Sequence, residues 1–227
     1  MPHRERSVVF VHGLWMTGHE ALFLRRDLRR RLDARTAVFR YRSVVKDVSE
    51  NAAALRTFLA GLTARRLDLV GHSLGGLIIL NCLEQAVDLP PGRVVLLGSP
   101  LQGSAVARAL SQYPMFKAML GRSITAEAVG DIRRHWQGER EVGVIAGSLS
   151  LSLGRLFARL PEPNDGTVTV AETDLPGATD RLVLPVSHTS MVFSPLVAEQ
   201  TAHFLVHGRF DHAGRRPQGS APPDQPG

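Results

Sequence analysis

One cysteine, Cys82, is the whole thiol inventory of the sequence. That excludes an intrachain disulfide and any cysteine-rich metal motif. Cys82 sits in a helix-like apolar stretch and reads as a small buried side chain. Aromatic residues are also sparse, at 6% of the chain with two Trp and two Tyr. They are too scattered to stack bases, no nucleic-acid-binding motif occurs, and no nucleic-acid partner is expected. No apolar run approaches the about 18 residues that a membrane-spanning helix needs. The opening M-P-H-R-E-R is charged and passes directly into a strand-like segment. It has neither the apolar core nor the cleavage site of a secretory leader, so a cytoplasmic protein is expected. His3, His12, His19 and His72 form no H-E-x-x-H helix or other ligand set, so neither a metal nor a cofactor is expected.

What remains is the composition of a globular protein. The 227 residues suit one domain with a substantial core, and 44% are hydrophobic against 21% charged. The net charge of +6 is carried mostly by arginine, and the run R-R-D-L-R-R-R-L-D-A-R concentrates Arg25, Arg26, Arg29, Arg30, Arg31 and Arg35. At helical spacing these form a solvated face over a buried stripe of Leu24, Leu28 and Leu32. Docking to an acidic carrier protein, lipid or nucleic acid is the competing use of the same charges, and the run alone does not establish it.

Short apolar runs alternate with helix-like stretches, the pattern of an α/β protein built on a mainly parallel sheet. About six strands are expected, at 7–12, 36–41, 67–71, 93–98, 142–147 and 181–186, with helices on both faces. Several strands are almost continuously apolar, as strands covered on both sides must be. Leu55, Phe58, Leu59 and Leu62 recur at helical spacing within 48–62. Further helices are expected over 74–86 and over 195–206, the latter opened by Pro195. Two long connections, 101–141 and 148–180, break the regular alternation. From Gly208 onward the sequence is rich in Gly and Pro and poor in large apolar residues. The expected division is therefore a folded domain over 1–207 and a disordered tail over 208–227.

The strongest chemical signal is G-H-S-L-G-G, Gly71 to Gly76, directly after the apolar run L-D-L-V. A serine hydroxyl is a weak nucleophile until a base takes its proton and the oxygen is presented in the open. A sharp strand-to-helix turn presents Ser73, and glycines at 71 and 75 let neighbouring backbone pass close by. A glycine-rich phosphate loop is the bland alternative, but the dinucleotide spacing and a Gly-Lys-Ser or Gly-Lys-Thr are both missing. A second element is V-H-G-L-W at the end of the first strand. Such a loop can offer a backbone N–H to an oxyanion, here that of Leu14, with the other donor at Leu74 after the serine. His12 reads as a loop histidine bonded locally.

Together V-H-G-L-W, G-H-S-L-G-G, N-D-G-T-V and S-H-T-S resemble the α/β-hydrolase superfamily, and within it the compact bacterial lipase-like and esterase-like members without a large cap. The resemblance spans about 7–206. Two N-terminal strands of larger members have no counterpart, which implies a reduced sheet. The resemblance implies Ser73 as nucleophile, Asp165 of P-E-P-N-D-G-T-V as the acid and His188 of P-V-S-H-T-S-M as the base. Glu162, Asp174 and Asp180 remain alternative acids in the same connection. Asp180 precedes the last strand, at the end remote from His188.

The expected activity is hydrolysis of a small-molecule or lipid carboxylic ester through an acyl-enzyme. A thioesterase or acyltransferase using the same residues is the alternative, and a non-enzymatic binding relative is the third reading. Trp15 is a candidate acyl contact or a core tryptophan. Met115, Phe116, Met119 and Leu120 offer an apolar acyl-binding surface or core packing, within a 101–141 segment expected to form the access wall or a small lid. G-S-P-L-Q-G-S (98–104) is expected to line its floor.

Overall fold

The structure is a computed structural model and describes residues 5–85, 88–113, 134–150 and 160–213. Six strands are present where apolar runs predict them: β1 (Arg6–Val11), β2 (Arg35–Phe39), β3 (Arg66–His72), β4 (Val94–Leu97), β5 (Val142–Gly147) and β6 (Asp180–Leu184). All pair in parallel, in the order β2-β1-β3-β4-β5-β6. Alternate residues of each strand feed opposite faces, as the two-residue period of a strand requires. Val9, Val11, Leu67 and Leu69 enter one apolar cluster, while Val8, Phe10 and Val70 enter the other.

Among the described residues, five helices cover those faces. α1 (Leu22–Leu32) and α5 (Pro195–His207) pack on one side, α2 (Val48–Ala60) and α3 (Leu74–Glu84) on the other, and a short α4 (Ala105–Ser111) follows β4. In α1, Leu24 and Leu28 are buried, whereas Arg26, Arg29, Arg30 and Arg31 are exposed. Arg30 and Arg31 pair with Asp27 at 2.6 and 2.5 Å. Four of the six arginines thus form a solvated helix face, whose basic last turn complements the negative helix end, while Arg25 is half-buried and Arg35 opens β2 instead. α2 starts at a reciprocal Asp47–Glu50 capping box, and Ser194 caps α5 ahead of Pro195. No helix among the described residues is long and apolar enough to cross a membrane.

Packing does not stop at His207. Gly208 closes α5 in the left-handed conformation, which turns Phe210 back against Phe204. Phe210 is 2% exposed and its N–H donates to Asp180 at 2.7 Å. Residues 208–213 therefore extend beyond the expected domain end, because one aromatic side chain anchors a segment whose composition reads as a tail. Residues 214–227 lie outside the described residues.

The topology determines where a ligand can reach. After β1 the chain moves outward to β2, then returns to place β3 on the other side of β1. Loops leaving the carboxyl ends of β1 and β3 diverge there and open a crevice. The V-H-G-L-W loop and the Ser73 turn are those two loops.

Candidate active site

Ser73 occupies the single residue between β3 and α3, with φ 53° and ψ −123°. A side chain at positive φ is disfavoured by about 1–3 kcal/mol and persists only where surrounding structure enforces it. The enforcement here comes from glycines on both sides. A Cβ on Gly75 would strike the carbonyls of Val11 and His12, and one on Gly71 would lie 2.7 Å from Gly76 Cα. Gly76 is equally constrained, because a Cβ there would run into Ser99. Leu74 is the first residue of α3, so its amide has no partner within the helix.

Asp165 and His188 come together after β5 and β6. His188 Nδ1 lies 2.7 Å from Asp165 Oδ2, and the His188 main-chain N–H donates to the Asp165 carbonyl at 2.9 Å. The other carboxylate oxygen accepts the amides of Thr167 and Val168 at 2.9 and 2.7 Å. Asp165 is fully buried and His188 is 8% exposed. The N-D-G sequence explains the loop: Asn164 Oδ1 accepts Gly166 N–H, and Gly166 takes φ 92°. With Asp165 accepting at Nδ1, His188 presents the Nε2 lone pair to a donor. The other acids are committed elsewhere or turned away. Asp174 pairs with Arg181 at 3.0 Å, Asp180 holds Phe210 and His212, and Glu162 is exposed.

Ser73 and His188 line one cavity of about 270 Å³, together with Gly13, Leu14 and Leu74. Its walls are mostly apolar, from Met16, Leu77, Pro100, Val106, Ala107, Leu110 and Val168. The expected oxyanion donors, Leu14 and Leu74, thus border the space beside Ser73. Trp15 also lines it and is 57% exposed, which removes the core reading of that residue. Phe116 and Met119, with Met115 and Leu120, lie outside the described residues. The segment after β4 does contribute a wall, through α4. Of G-S-P-L-Q-G-S, Pro100 and Ser104 face the cavity, while Ser99 is fully buried.

His12 is committed locally. Its ring stacks on Tyr41 at 4.3 Å, its Nδ1 lies 2.9 Å from the Gly13 carbonyl, and burial pushes its pKa down.

Sequence reading placed Gly98 only within the G-S-P-L-Q-G-S floor and missed its contact with the Asp165–His188 pair. It has φ 54°, and a Cβ there would sit 3.2 Å from His188 Nδ1 and 3.1 Å from both Asp165 Oδ2 and Met191 Sδ. Glu172 was also missed. It is 8% exposed and ties α4 to the Asp165 loop by accepting Ala105 N–H at 2.5 Å and Thr169 N–H at 2.8 Å. One further feature marks this edge. Exposed large apolar side chains, among them Trp15, Phe23, Val45, Leu149, Phe193 and Leu196, lie in the segments that leave the carboxyl ends of β1, β2, β5 and β6.

Comparison with solved structures gives the same architecture. A Bacillus licheniformis lipase in its mature form superposes with a TM-score of 0.69 at 20% identity, over 92% of this chain and 93% of that one. A Pseudomonas aeruginosa hydrolase gives 0.60 at 18%, over 88% and 89%. A metagenomic carboxyl esterase gives 0.55 at 19%, over 84% and 67%. Likeness at such identities shows the fold. No curated protein sequence matches this one at a significant level. The profile of the alpha/beta hydrolase family, however, matches residues 8–224, nearly the whole chain, and with that the sheet order and the serine turn have their place: the chain belongs to the α/β-hydrolase family.

Proposed function

We propose that this chain is a carboxylic ester hydrolase that works through an acyl-enzyme on Ser73. One observation carries the reading: Ser73, at its strained turn, lines the same cavity as His188, which Asp165 holds. In the reaction His188 Nε2 takes the Ser73 proton as Oγ attacks the acyl carbon, then delivers it to the leaving alcohol. Asp165 fixes the tautomer and stabilises the imidazolium. The Leu14 and Leu74 amides receive the tetrahedral oxyanion. A water, deprotonated by His188, then releases the acid and restores Ser73.

The apolar cavity wall and the apolar side chains at its edge support an apolar acyl group, from a small or lipid ester. The fold relatives described as a lipase and a carboxyl esterase point the same way. The test is a panel of p-nitrophenyl esters and acyl thioesters of graded length with wild type and Ser73→Ala. Turnover of esters that Ser73→Ala abolishes supports the proposal. Turnover of thioesters alone moves the activity to a thioesterase, and ester turnover unchanged in Ser73→Ala rejects it.

A further inference from the structure

The second residue of G-H-S-L-G-G has no part in the chemistry above, yet it is placed against all three elements that carry it. His72 ends β3, is 0% exposed, and lines the cavity beside Ser73. Its Nε2 lies 2.9 Å from the main-chain carbonyl of His188. A carbonyl only accepts, so Nε2 carries the proton and Nδ1 the lone pair. The two imidazole rings are 4.9 Å apart and inclined at 43°. On its other side, the His72 Nδ1 is pressed toward the V-H-G-L-W loop. A Cβ on Gly13 would lie 3.2 Å from that atom and 3.1 Å from Ser73 Cβ.

We propose that His72 is a positioning residue that fixes the main chain of His188, and so the reach of the His188 ring toward Ser73. The proposal rests on the assignment of Ser73 and His188 given above. His188 is held at three points: its N–H by the Asp165 carbonyl, its Nδ1 by the Asp165 carboxylate, and its carbonyl by His72. Asp165 alone secures one side of the residue. The bond from His72 secures the other and links it rigidly to the strand that carries Ser73.

An apolar side chain of the same size would fill the space without making that bond. Burying an imidazole there is otherwise unfavourable, since Nδ1 is buried with no hydrogen-bond partner among the described residues. A positional role explains the cost, because a small displacement of a reacting group can remove much of the rate. Burial, with His188 adding to it, lowers the His72 pKa to about 3. The ring therefore stays neutral at any ordinary working pH. It donates from one fixed nitrogen and adds no positive charge beside His188 as that residue becomes imidazolium.

The experiment compares His72→Gln, His72→Asn and His72→Phe with wild type, each counted by fluorophosphonate titration of Ser73 before kcat and KM are measured. The glutamine amide nitrogen reaches the position of the imidazole Nε2, whereas the asparagine amide stops near Nδ1. The expected result is a loss in kcat per titrated site of roughly tenfold to a hundredfold for Phe and Asn. KM is expected to stay within about twofold, and Gln to recover most of the rate. Melting temperatures are recorded alongside, and kcat is expected to follow the donor rather than the stability. Equal kcat per site in all variants, or Gln no better than Asn, overturns the proposal. Should Phe not fold, the Gln and Asn pair decides alone. A wild-type protein that takes no label on Ser73 overturns the hydrolase reading itself, which a labelled wild type with indifferent variants does not.

Discussion

His188 meets Asp165 twice, through its main-chain N–H at 2.9 Å and through its ring Nδ1 at 2.7 Å. The double contact orients the imidazole by a single residue and leaves few alternatives for the acid. Asp165→Asn keeps the loop amides satisfied but offers His188 the wrong tautomer. Turnover is expected to fall by roughly ten-thousand-fold while the circular dichroism spectrum stays that of wild type. Glu162→Gln and Asp174→Asn are expected to retain near-normal turnover. Collapse in either of those, with Asp165→Asn active, moves the acid.

Gly98 lies against that same hydrogen bond. Gly98→Ala places a methyl within 3.2 Å of His188 Nδ1 at a backbone with φ 54°. Both effects act together, and the expected outcome is a loss of stability above about 1 kcal/mol with a disproportionate fall in kcat. Urea unfolding and steady-state kinetics separate the two. Wild-type kinetics in a folded Gly98→Ala variant would show that the pair has more room than these contacts allow.

Glu172 joins the cavity wall to the acid loop, since its carboxylate accepts one amide from α4 and one from Thr169. Glu172→Gln replaces one acceptor oxygen by a donor facing a backbone N–H. The expected change is a shift in KM and in preference among acyl lengths, with a loss of about 1–3 kcal/mol in stability. An unchanged ester profile would separate α4 from substrate selection.

Acid sensitivity follows from the buried histidines. His72 has its pKa lowered from 6.5 to about 3, mainly by burial, with the charge of His188 lowering it further and the bond to the His188 carbonyl and Asp165 opposing. His12 is also lowered by burial. Between these values the unfolded chain binds a proton that the folded chain refuses, so stability is full above pH 6.5 and declines as pH falls toward 3. Urea midpoints measured from pH 7.5 down to pH 4.5 are expected to decrease, and less steeply for His72→Gln. An identical slope in that variant would assign the acid sensitivity to other groups.

Much of this was legible before the structure. All six strands are present in the sequence as apolar runs, because a parallel sheet covered on both faces leaves no polar alternation to obscure them. Their ends were less legible: β2 stops at Phe39, and Tyr41 leaves the strand to stack on His12. The serine turn was marked by its glycines and the acid loop by N-D-G. The contacts that decide the site were not marked. Gly98, Glu172 and His72 each reach a partner 67 to 116 positions away in the chain, and no local pattern encodes such a contact. Phe210 was hidden by its neighbours, since a single aromatic in a Gly- and Pro-rich stretch does not look like core. The start of α4 did leave a signal in Ser104, which caps it through Ala107 N–H.

The account stands or falls on the nucleophile, and one measurement reaches it directly: peptide mapping of the protein after reaction with a fluorophosphonate probe. The predicted result is a single adduct on the peptide carrying Ser73, absent in Ser73→Ala and much slowed in His188→Ala. An adduct on another serine, such as Ser99 with its buried hydroxyl, or ester turnover that persists with Ser73 unmodified, would contradict it.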